Sequence, residues 1–223
     1  MPTTRRAEPR PPKSPQYSSR ALRPAGERDA LAEGEVIRHV LYSGDMLAGC
    51  SLVQAEAEEV RFESVRFTGA RIEQTVFSDA VFSTCDFASV RAHDASLVRA
   101  EVTGSRATGS SWSKSHFTDV TFDHLRGDLS MWRHSKFRSV LFTGCNLMEA
   151  DFQFAELRDV FFRSCQLDTA QFGNVTASRV RFDNCTMADL GGPGALRGSR
   201  VTGPGALDIA LALARDAGIS IAL

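Results

Sequence analysis

The 223-residue chain holds only three lysines against 23 arginines, two tyrosines and two tryptophans, and has almost no charge surplus at −1. So balanced a chain is not a basic nucleic-acid binder, and no direct contact with nucleic acid is expected. No apolar run approaches the roughly 18 residues that a membrane span requires. Residues 1–16, MPTTRRAEPRPPKSPQ, lack the apolar stretch of a secretory signal, so a cytoplasmic protein that does not engage membranes is expected. The five cysteines form no CxxC, and no histidine stands at metal-ligand spacing from them. Phosphate loops, nucleophile elbows and paired-acid motifs are missing as well, which argues against an enzyme, a cofactor or a metal site.

What the chain does have is a period. Every fifth residue from Ile37 to Met187 is apolar, with Gly127 the one exception among 31 positions. Thirteen of the fifteen phenylalanines and both tryptophans stand in this register. The position two residues earlier is equally regular: from Cys50 to Cys185 it holds only Ala, Cys, Ser, Thr or Val, apart from Leu125. A two-residue step places both side chains on one side of an extended segment. The three-residue gap to the next pair is then a corner. Five fits neither the helical period of 3.6 nor strand alternation, so the chain must wind as a solenoid whose coils contact only their neighbours.

These residues resemble the pentapeptide-repeat proteins, whose consensus is roughly Ala-Asp/Asn-Leu-X-X. CNLMEADFQFAEL (145–157) and CQLDTAQFGNV (165–175) carry the likeness, which extends over about residues 37–190. The resemblance implies an all-β solenoid, a right-handed quadrilateral β-helix with four pentapeptides per coil. About eight coils are expected, forming a rod roughly 37 Å long at the strand spacing. Around Gly127 and Leu125 the pattern loosens without an insertion, and a distorted side or kink is expected there.

Three regions follow. Residues 1–30 carry six of the eight prolines and are mostly basic, so a disordered tail is expected, either a solubilising leader or an arm for acidic partners. Residues 31–190 form the β-helix. Residues 191–223 comprise a Gly-rich linker and a helix over 206–217, with Gly218 as its stop. Leu207 and Leu211 lie on one stripe of that helix, and Ile209 and Leu213 project from nearly the opposite one. A helix apolar on two sides needs two partners, so these four residues are expected to cap the rod and form a homodimer contact.

Several pentapeptide-repeat proteins bind type II topoisomerases, DNA gyrase above all, as DNA surrogates, and so confer resistance to quinolones or to self-made poisons. The resemblance implies that role here, with the loop-free mycobacterial type as the nearer analogue. The candidate acidic contacts are Glu56, Glu58, Glu59, Glu63 and Asp79, although arginines intervene and no column of one sign dominates. The alternative is a scaffold for an unidentified protein, with Leu141, Phe154 and Phe161 as apolar contacts. The cysteines are read as small core residues, since their slots elsewhere take Ala, Ser or Val.

Overall fold

The computed structural model describes residues 8–17, 22–26, 29 and 31–221. From Val36 onward the chain winds as a right-handed quadrilateral β-helix of about nine turns, closed by one C-terminal helix. Every strand pairing is parallel, and through the repeats each residue pairs with the one twenty later, as in Phe82↔Val102↔Phe122↔Phe142↔Phe162↔Phe182. The eight-residue strands Val76–Ser83, Ser96–Thr103, His116–Asp123, Lys136–Thr143, Glu156–Arg163 and Thr176–Asp183 each cover two sides of a coil, bending once in the middle.

The bend has one backbone cause. Every fifth residue from Gly34 to Asp189 has a positive φ, whether it is glycine or carries a side chain as large as Phe154 or Arg99. The left-handed conformation turns the chain through a corner and returns the next pair of side chains inward. Outside glycine it costs roughly 1–2 kcal/mol per residue, which the ladder and the core must offset.

Inside, the rings stack because the ladder dictates their spacing. Phe142, Phe162 and Phe182 lie face to face at 4.9 Å, one coil apart. Rings of neighbouring columns meet edge-on, as Phe152 and Phe162 do at 6.0 Å and 83°. The two tryptophans stack at 6.0 Å, and each indole N–H donates to the serine two residues before it, Trp112 to Ser110 and Trp132 to Ser130. Those small-slot serines are thus the acceptors that let a polar indole be buried.

The expected kink is not found. Leu125 is buried, and a Cβ on Gly127 would stand 3.4 Å from a Leu125 methyl and 3.1 Å from one of Leu147. The large residue has moved into the small slot and left room for none in the large one. The ladder Arg106↔Arg126↔Asn146 therefore continues through this level.

The rod exceeds the expected eight coils because both ends recruit poorer repeats. At the start, Arg23–Pro24 pairs with Val40–Leu41 and Leu31 enters the core. At the end, the 3-10 turn Pro193–Leu196 carries Leu196 into the core, and strand Arg200–Thr202 pairs one residue out of register, Val201 opposite Phe182. Helix α1, Gly205–Asp216, then closes the end. It approaches so closely that a Cβ on Gly205 would sit 2.8 Å from the Cys185 carbonyl.

Candidate functional site

The interior offers no chemistry. A void of about 20 Å³, lined by residues including Phe77, Phe82, Trp112 and Trp132, lies in the core, room for about one water. Cys85, Cys145, Cys165 and Cys185 are buried, and each thiol donates to a backbone carbonyl of the preceding coil. Burial pushes the Cys85 thiol up to about 11; beside Cys145, in the same column, the Cys165 thiol is raised to about 12. Such thiols stay protonated and inert. Among the described residues no group of three or more His, Cys, Asp or Glu could hold a metal. No described helix is long and apolar enough to cross a membrane.

The surface residues singled out by the sequence separate into distinct places. Glu58 pairs with Arg38 at 2.6 Å, Glu59 lies 3.2 Å from His39, Glu63 lies 3.7 Å from Arg61, and Asp79 is gripped by both arms of Arg99. Only Glu56 of the five has no such neighbour among the described residues. The cluster is acidic in sequence, but in space Glu58, Glu63 and Asp79 are each paired with an arginine one coil away or two residues along.

The apolar set is also not one patch. Leu141 and Phe161 are paired neighbours in the ladder, both half-buried, and Phe161 lies between the guanidinium groups of Arg163 and Arg181 at 5.0 and 5.1 Å. Phe154 is on a different corner, one side of the coil away, 46% exposed and stacked on His134. In α1, Ile209 packs against the core beside buried Ala212, whereas Leu207 and Leu213 are exposed and Leu211 is half-buried. Asp208 turns inward too, accepting the Met187 N–H. The pairing of Leu207 with Leu211 against Ile209 with Leu213 therefore does not describe the capped and free faces.

A feature that sequence reasoning missed lies along one corner. Residues 8–17, expected to be disordered, run along six coils of the rod as an extended strap. The Arg10 N–H donates to Asp159 at 3.1 Å, Lys13 N–H to Asp119 at 3.3 Å, and Gln16 N–H to Asp79 at 2.8 Å. Between these contacts Pro9, Pro12 and Pro15 are half-buried and every other strap residue is exposed. At the far ends, Glu8 pairs with Arg181 at 2.6 Å and the Tyr17 ring sits 6.0 Å from the Arg61 guanidinium.

The column beneath reads Asp79, Arg99, Asp119, Ser139, Asp159, Arg179, all at the positive-φ corner. Asp79 and Asp159 are buried, each held bidentate by the arginine of the next coil. The Arg179 guanidinium, aided by the Arg10 N–H, holds the Asp159 carboxyl below its ordinary value despite burial. At Asp79 burial pulls upward, and the Arg99 guanidinium with the Gln16 N–H outweighs it, so that carboxyl is lowered as well. Both are fixed anions that present an oxygen to the strap.

Comparison with known proteins turns on the repeat. The model of a pentapeptide repeat region matches residues 115–190, and that of pentapeptide repeats in eight copies matches residues 66–104, together just over half of the chain. The chain belongs to the pentapeptide-repeat family. No curated protein matches it significantly. Among solved structures, this pentapeptide-repeat protein is similar to a trypsin-treated variant of QnrB1, a plasmid-mediated fluoroquinolone resistance protein. The two are 16% identical with a TM-score of 0.39, over 91% of this chain and 100% of that one. It is also similar to HetL, a pentapeptide-repeat protein involved in heterocyst differentiation regulation from the cyanobacterium Nostoc, at 12% identity and a TM-score of 0.32, over 78% and 90% of the respective chains.

Proposed function

We propose that the protein is a cytoplasmic, non-catalytic binding rod that presents its outer columns to a protein partner. The observation that carries this reading is the closed core: apolar and small side chains fill it, Cys85, Cys145, Cys165 and Cys185 are buried within it, and the groups capable of recognition stand on the outside. Type II topoisomerase, with DNA gyrase first, is the partner class that family membership suggests. A DNA surrogate needs unpaired negative charge at phosphate-like intervals. The pairing of Glu58, Glu63 and Asp79 with arginines favours instead a contact through the exposed Phe154–His134 stack, the form that a scaffold reading shares.

The test is a gyrase supercoiling and ciprofloxacin-cleavage assay with folded protein. Inhibition or protection is expected, lost on Phe154→Asp and retained on Glu58→Lys with Glu59→Lys. Loss on the charge reversal would restore the surrogate mechanism. Silence of the wild-type protein would remove topoisomerase and leave a scaffold for another partner.

We also propose a homodimer through the exposed side of α1, where Leu207 and Leu213 stand free of the rod. Light scattering at micromolar concentration is expected to give twice the chain mass, falling to a single chain mass for Leu207→Glu with Leu213→Glu. A single chain mass for the wild type would refute it.

A further inference from the structure

The strap and its column are commensurate. A polyproline-II segment advances about 3.1 Å per residue with three residues per turn, hence about 9.3 Å per turn. Two coils of the rod advance about 9.6 Å at the strand spacing. The donors Arg10, Lys13 and Gln16 recur every third residue, and the acceptors Asp159, Asp119 and Asp79 recur every second coil, in antiparallel order. From Glu8 at the Arg181 level to Tyr17 at the Arg61 level, nine residue steps match six coils, about 28 Å against about 29 Å.

The prolines fit the same arithmetic. Pro9, Pro12 and Pro15 face inward once per turn, and each is followed by a residue that still has an N–H to give. Proline fixes φ near the polyproline-II value, so docking orders little that was not already ordered. On the rod, Arg99 and Arg179 hold their aspartates so that Asp79 Oδ1 and Asp159 Oδ1 each accept a strap N–H as well as a guanidinium N–H.

We propose that the corner column Asp79–Asp119–Asp159 is a receptor for a polyproline-II segment with proline at every third position and an N–H-bearing residue after each, and that residues 8–17 are its resident ligand. A partner bearing such a segment must displace the strap, so the tail sets access to this side of the rod. The inference does not depend on whether the partner is a topoisomerase.

The test uses the full chain. Arg10→Pro, Lys13→Pro and Gln16→Pro together remove the three donors while keeping the strap compatible with polyproline II. A fluorescein-labelled peptide of residues 8–17 is expected to bind this variant at least tenfold tighter than wild type, whose own strap competes at high effective concentration. Asp119→Ala added to the variant should weaken the peptide several-fold, since the Asp119 side chain makes no other hydrogen bond or ion pair among the described residues. A peptide of equal composition with its prolines moved out of the three-residue period should bind no better than background. Equal affinity for wild type and variant, no binding to a variant with native circular dichroism, or indifference to Asp119→Ala would overturn the proposal. Should the triple variant misfold, trypsin cleavage after Lys13 decides: several-fold faster in Asp119→Ala than in wild type is expected, and equal rates would overturn it.

Discussion

Replacing Phe162 with alanine should destabilise the rod by about 3–5 kcal/mol, the range for deleting a fully buried ring. Phe162 is wholly buried and lies within 6.2 Å of four other rings, with Phe142 and Phe182 stacked above and below and Phe152 and Phe172 edge-on. The vacated space cannot collapse readily, because the ladder holds neighbouring coils at fixed pitch. Phe154→Ala is the matched control: its ring is 46% exposed and stacks only on His134, so a change within about 0.5 kcal/mol is expected. Urea unfolding of both variants measures the contrast. Similar midpoints for the two would mean that the five-residue register does not decide which rings are inside.

The second large effect is expected at Gly192→Ala, and it should be local. Gly192 has φ +66°, and a Cβ there would stand 2.6 Å from the backbone of Gly173. The left-handed conformation alone costs roughly 1–2 kcal/mol. Backbone cannot yield as a side-chain tip can, and overpacking adds about 1–3 kcal/mol. About 3 kcal/mol is therefore expected, concentrated on the last turn. Solenoid coils are coupled to nearest neighbours, so the turn Pro193–Leu196, strand Arg200–Thr202 and α1 should open together while central coils keep their protection. Trypsin should then cut at Arg197 and Arg200 far faster than in wild type, with hydrogen exchange around Phe82–Phe122 unchanged. Uniform loss of protection along the rod would contradict this.

The inward surface was legible because a period of five leaves one slot per repeat that must be apolar and one that must be small, and the chain fills them almost without exception. The corners were not. Thr84, Leu129 and Phe154 do not advertise a positive φ; the fold imposes it, since each corner must return the next pair inward. The acidic candidates were visible as a run in sequence, but their neutralisation depends on residues two positions along, such as Arg61 for Glu63, or one coil away, such as Arg38 for Glu58. The helix ends were read almost to the residue, yet its buried side was not. Asp208 contributes by accepting a backbone N–H, and Gly205 and Ala212 by their smallness, neither of which a hydrophobic stripe reveals.

Within the expected tail, residues 8–17 depart from disorder for a physical reason, while residues 1–7 and 18–21 lie outside the described residues. Low apolar content does exclude a packed core, but a polyproline strap needs none: it arrives stiff and spends backbone N–H groups on fixed carboxylates. The signal was present in two periods, prolines at 9, 12 and 15 and aspartates at 79, 119 and 159, forty residues apart. Neither is conspicuous alone. Their ratio, three residues to two coils, is what joins them.

That ratio is also the account's most exposed point, and amide hydrogen exchange of the full-length protein, resolved by residue, tests it most directly. Slow exchange is predicted at Arg10, Lys13 and Gln16, with fast exchange at Ser14 and Tyr17 between and beyond them. Uniformly fast exchange across residues 8–17, or protection without the three-residue period, would contradict it.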